Sequence, residues 1–134
     1  MTQLTKMIYI ASPYTSKKLD PVEKFQEEVD RYMAITQYIG ELQDQYPYAF
    51  IGPITQSHNT AMFMSNKDTT FANWEARDKT FIARCDELWV IQIDGWMESV
   101  GVRAEIKFAH EQGIPVFYFP PESMKRELKY VSDL

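Results

Sequence analysis

Four short apolar runs constrain this chain more than any other feature: "MIYIA" (7–11), "YAFIGPI" (48–54), "ELWVIQI" (87–93) and "IPVFYF" (114–119). They are near-continuously apolar rather than alternating, the pattern of strands buried on both faces, and helix-forming segments separate them. The expectation is an α/β fold of three layers, with a mostly parallel sheet of four or five strands covered by helices on both sides. From Val22 to about Tyr46, the positions Val22, Phe25, Val29, Tyr32, Met33, Thr36, Ile39 and Leu42 keep the rhythm of one helix face. Further helices are expected over 71–85, around Phe71, Trp74, Phe81 and Ile82, and from Val100 to Gln112, closed by Gly113. "TQSHNTAMFMSNKDTT" (55–70) reads as a long loop, and "ESMKRELKYVSDL" as a marginal last helix or tail. Sheets of this kind bind ligands beyond the carboxyl ends of their strands, where this chain carries "SPYT", "GPITQSH", "DGWMESVG" and "FPPES".

A chain of 134 residues fits one domain with one core, and 45% hydrophobic against 25% charged residues is the balance of a folded protein. A net charge of −5 argues against binding a nucleic-acid polymer, which requires Lys and Arg to displace counterions. It does not exclude one small anion held by a few aimed N–H groups. The single cysteine, Cys85, cannot form an intramolecular disulfide, which fits a reducing compartment. The first apolar run is too short for a signal peptide or a membrane span, so a cytoplasmic protein without a membrane partner is expected.

The segment "DGWMESVGVRAEI" (94–106) holds the first candidate site. Ser99 suits a helix N-cap, Gly101 permits close backbone approach, and the free N–H groups of a first helical turn attract anions. The same pattern also serves a helix that is merely capped and packed. Glu105 lies six residues after Ser99, and the positive helix end is expected to keep its carboxylate ionised. An ionised carboxylate beside an anion pocket can attack an electrophilic carbon such as an anomeric centre. Asp78 and Asp86 in "WEARDKTFIARCDELW" form a second pair, in which Asp86 adjoins a strand and reads as a turn or cap residue.

His58 follows a strand end and is a candidate to touch a ligand, the alternative being a plain loop residue; His110 has no partner at ligand spacing, so no metal site is expected. Tyr14, Trp74 and Trp96 lie near expected loops and are candidates to stack on a base. No Walker loop, GxGxxG or GxSxG segment occurs, which removes the usual supports for triphosphate hydrolysis, dinucleotide binding and an α/β-hydrolase. No cofactor is expected.

Taken together, "IYIASPYT", "FIGPITQSH", "FANWEARDKTFIARCDELWVIQIDGW" and "ESVGVRAEIKFAHEQGIPV" resemble the nucleoside 2-deoxyribosyltransferase superfamily, and within it the DUF1937 branch, over about residues 7–119. The resemblance implies a flavodoxin-like (Rossmann-like) fold and cleavage of the N-glycosidic bond of (deoxy)nucleosides or their 5′-monophosphates, by hydrolysis or base exchange. It implies that Glu105 is the nucleophile, that Asp78 orients the substrate and serves proton transfer, and that Ala11, Ser12 and Tyr14 line the nucleoside pocket. At the position of Ser99 the free-nucleoside transferases carry aspartate and the monophosphate hydrolases carry a phosphate-binding serine, so the monophosphate branch is the nearer one. The chain departs from that branch at Arg103 and in the 55–70 segment. A homo-oligomer, dimer or tetramer, is likewise implied, with the C-terminal segment taking part. Two other readings compete: a non-catalytic nucleotide-binding module of the same fold, and an interaction scaffold with a vestigial pocket.

Overall fold

The computed structural model describes residues 6–65 and 70–120. Eight elements follow one another: β1 (Met7–Ala11), α1 (Pro21–Gln45), β2 (Ala49–Ile51), α2 (Pro53–Ala61), α3 (Phe71–Ala83), β3 (Glu87–Ile91), α4 (Val100–Glu111) and β4 (Val116–Phe119). The four strands form one parallel sheet in the order β2-β1-β3-β4. The α/β architecture expected from the apolar runs is thus observed, with the two most buried strands, β1 and β3, at its centre.

Side-chain alternation along β1 builds the layers, because successive residues of a strand point to opposite faces. Ile8 and Ile10 pack with Ile35, Tyr38 and Leu42 of α1, together with Trp89 and Ile91. Tyr9 and Ala11 point the other way, into a cluster with Ile82 of α3, Val102 and Ala109 of α4, and Leu88 and Val90. Helix α1 therefore covers one face, while α3 and α4 cover the other. From β1 the chain crosses to β2 on one side, and from β3 to β4 on the opposite side. The carboxyl ends of β1 and β3 consequently flank the topological switch point, where parallel sheets leave a crevice.

Local chemistry explains the helix boundaries. Asp20 caps α1 by accepting from the Glu23 amide at 3.1 Å, and Pro21 occupies the first turn, where its missing N–H costs nothing. Gly113 has φ +72° just beyond α4, in the left-handed conformation that ends helices.

One expectation fails. The run at 48–54 yields a strand of only three residues, and α2 starts at Pro53, within that run, and continues to Ala61 in the segment expected as a loop. The strand ends at Ile51, before Gly52 and Pro53, and these two residues also start a helix, Gly52 as its N-cap and Pro53 in its first turn. A nine-residue polar helix is marginal alone, so propensity and periodicity gave no sign of it; packing of Ile54 onto the α1 side of the core stabilises it. The suggested helix or tail at 122–134 lies outside the described residues.

Gly95 is the position where glycine is required. Its φ is +93°, and a Cβ there would stand 2.7 Å from Nη2 of Arg31. Gly95→Ala is expected to cost about 1–2 kcal/mol of stability from the left-handed backbone alone. Chemical denaturation checks this, and an unchanged midpoint would show that the loop relaxes freely.

Candidate active site

A cavity of about 360 Å³ opens beyond the carboxyl end of β1. The segment 12–17, α2, the start of α3 and the first half of α4 enclose it. Its volume is that of a pocket for one small molecule.

Glu105 forms its floor. Val102, Glu105 and Ala109 share one face of α4, so the turn spacing that buries two apolar residues in the core buries the carboxyl with them. Tyr9, directed to the same face from β1, donates its hydroxyl hydrogen to Oε2 of Glu105. Asp78, buried on α3, faces the same carboxyl, and its Oδ1 has no hydrogen-bond partner among the described residues.

The charge state of Glu105 differs from the expectation. Burial first, and then the neighbouring Asp78 charge, hold its carboxyl well above the usual range, and the Tyr9 hydrogen bond only partly opposes this. A helix end contributes about 0.3–1 kcal/mol in favour of a carboxylate, whereas desolvating an ion costs several kcal/mol, so burial wins. Asp78 is pushed up to about 6, chiefly by burial, with Arg77 opposing. Two acids in one dry site release their protons as a unit, and the first leaves more readily than the second because its loss places a negative charge beside the remaining acid.

At the mouth, Ser99 accepts from the Val102 amide at 3.2 Å and so caps α4, while also lining the cavity. Gly101 lines it too, and a Cβ there would meet Cδ1 of Phe71 at 3.2 Å. Capping, close packing and facing the cavity therefore coexist. Ser12, Tyr14 and Trp74 also line the cavity; Ser12 is 7% exposed and its Oγ has no partner among the described residues.

Ala11 and His58 do not reach the cavity wall. Ala11 is buried in the core beneath it. His58 stands behind Tyr14, its Nδ1 2.6 Å from the Tyr14 hydroxyl, and stacks on Tyr32 with ring centroids 4.3 Å apart. Trp96 packs against Tyr118 instead of facing the cavity, and Arg103 is exposed on α4. Asp86 accepts from the Met7 amide at 2.8 Å, which ties the segment before β3 to the start of β1. Burial, and then the Asp86 charge, push the Cys85 thiol up to about 11, which leaves little thiolate for nucleophilic chemistry. Among the described residues no group of three His, Cys, Asp or Glu could hold a metal, and no helix is long and apolar enough to cross a membrane.

Sequence reasoning missed the residues that fasten the pocket. Arg31 donates through Nη1 to the carbonyls of Tyr14 (3.2 Å) and Thr15 (3.0 Å). Glu28, buried in α1, accepts from the Ser16 amide at 2.9 Å and from Lys24 at 2.6 Å. Together they hold segment 12–17 against α1. No local pattern marks these residues, because both lie in a helix whose charged positions look solvated. Tyr9 did leave a sign: a tyrosine in a strand buried on both faces needs a hydrogen-bond partner for its hydroxyl.

Fold and cavity define an α/β protein with a ligand crevice at the switch point of a parallel sheet and a buried acid pair on its floor. The chain belongs to the family described as Domain of unknown function (DUF1937), whose family model matches residues 6–120 and spans all eight elements. A comparison with curated proteins gives no significant match.

Proposed function

We propose that this chain cleaves the N-glycosidic bond of a (deoxy)nucleoside 5′-monophosphate through a covalent glycosyl ester on Glu105. The resemblance to nucleoside 2-deoxyribosyltransferases supplies the reaction class. The observation that carries it here is the acid pair of Asp78 and Glu105 on the floor of a ligand-sized cavity, with Tyr9 donating to Glu105. Glycoside cleavage with a covalent intermediate needs one carboxylate to attack and one carboxylic acid to protonate the leaving group, and two acids sharing one proton supply both.

With the shared proton on Asp78, the Glu105 carboxylate attacks C1′ through an oxocarbenium-like transition state. The C1′–N bond breaks, the base takes the Asp78 proton, and an ester forms between C1′ and Glu105. Asp78, now ionised, then takes a proton from water, whose oxygen attacks C1′ and releases Glu105. Another base in place of water gives exchange. Tyr9 stabilises the Glu105 carboxylate before attack and after release.

A screen of nucleoside 5′-monophosphates and free nucleosides for base release, read by chromatography, tests the proposal. Ser99→Asp keeps a good N-cap but sets a negative charge at the cavity mouth. It is expected to shift the kcat/KM ratio at least about tenfold towards free nucleosides, like charges in a confined site costing a kcal/mol or more. An unchanged ratio would remove Ser99 from the phosphate site.

One observation favours a second reading, a nucleotide-binding module without turnover. A Glu105 held protonated can hydrogen-bond a ligand and not attack it. That reading requires saturable binding with no free base after prolonged incubation.

A further inference from the structure

The cavity is electrically polar. Its floor carries the two acids, and its mouth carries Lys17, the one cationic side chain in its lining among the described residues. Lys17 comes from the segment after β1 and reaches across to the turn before α4, where Nζ donates to the backbone carbonyl of Glu98 at 2.9 Å. Glu98 immediately precedes the N-cap Ser99, so the ammonium group sits beside the N-terminal end of a twelve-residue helix. Ser12, 7% exposed, lines the same cavity, and its Oγ has no hydrogen-bond partner among the described residues, which leaves a buried donor for a ligand acceptor.

We infer that Lys17 is the specificity-determining residue for a phosphorylated substrate: its ammonium group, with the α4 N-terminus and Ser12, binds the phosphate. The inference rests on the glycosidase reading for the identity of the sugar but not for the anion. A floor of acids suits the end of a ligand where positive charge develops, as at an anomeric carbon; a mouth with a cation and free helix N–H groups suits the dianionic end. A neutral nucleoside satisfies only the first. The carbonyl contact of Lys17 orients the ammonium group without neutralising it, since a carbonyl carries no net charge and two N–H donors remain for the ligand.

The test separates charge from tether. Lys17→Gln retains a donor for the Glu98 carbonyl and loses the cation; Lys17→Arg retains both. Binding of ribose 5-phosphate, and in parallel of inorganic phosphate, is measured by calorimetry on the full chain with each variant. The expected result is at least tenfold weaker binding of both probes by Lys17→Gln, binding by Lys17→Arg within about threefold of the parent, and parent affinity that falls with added salt. Equal affinity of Lys17→Gln and the parent overturns the inference, as does a parent chain that binds neither probe. Absence of base release from every nucleotide, with the Lys17→Gln loss intact, overturns the glycosidase reading and leaves the phosphate site standing. Base release with an unaltered Lys17→Gln does the reverse.

Discussion

Glu105→Gln is expected to lower base release from nucleoside 5′-monophosphates by at least about 10³-fold, the scale seen when a covalent nucleophile is removed. Glutamine keeps the volume and still accepts from the Tyr9 hydroxyl, so nucleotide binding should survive. The same variant should not lose stability at neutral pH. Because the folded carboxyl titrates well above its ordinary range, an unfolded chain ionises first as pH rises above about 4.5, and the native state is penalised progressively until its own carboxyl ionises. Glutamine removes that penalty. Melting curves at pH 4 and pH 7 should show the variant gaining on the parent at the higher pH, and full catalytic activity in the variant would sink the covalent mechanism.

Asp78→Asn should reduce kcat by about 10² to 10⁴-fold, the usual contribution of a general acid. The loss should be much smaller for a substrate whose base leaves without protonation, such as 7-methylguanosine 5′-monophosphate. For the parent chain, kcat/KM is expected to rise through pH about 6 as the first proton leaves the acid pair, and to fall at higher pH as the second leaves. The acid limb near 6 should vanish in the variant, where Glu105 titrates alone and lower, without its neighbour's charge. Raising Asp78 from 3.8 to about 6 costs the native state on the order of 3 kcal/mol, a penalty that builds between those pH values and is complete above them, so the variant should also gain thermal stability at pH 7 relative to pH 4. Equal losses for the two kinds of leaving group would assign Asp78 to substrate orientation instead of proton transfer.

How much of this was legible without coordinates depends on the range of the interaction concerned. The four strands and three of the helices were legible because burial on two faces and the 3.6-residue period are written locally. Helix α2 was not, because nine polar residues acquire their helix from contact with α1 and the core. Glu105, Asp78, Ser12, Tyr14, Trp74, Ser99 and Gly101, all marked by the sequence, share one cavity, whereas His58 supports Tyr14 from behind. Arg31 and Glu28 were passed over, since their partners are backbone groups of a segment that only the packed fold brings beside α1.

The amino-acid sequence by itself determined the layers of this protein, the end of the sheet where the cavity opens, and the cap that starts α4. These follow from periodicity, the alternation of strands with helices and first-turn chemistry, each of which is written in short stretches of the chain. Only the tertiary structure decided the state of the acids. Tyr9 and Glu105 are 96 positions apart in the chain, and it is the sheet face shared by β1, α3 and α4 that joins them with Asp78 in a site dry enough for burial to outweigh the helix dipole. Desolvation depends on everything that surrounds a group, and no local stretch of sequence records it.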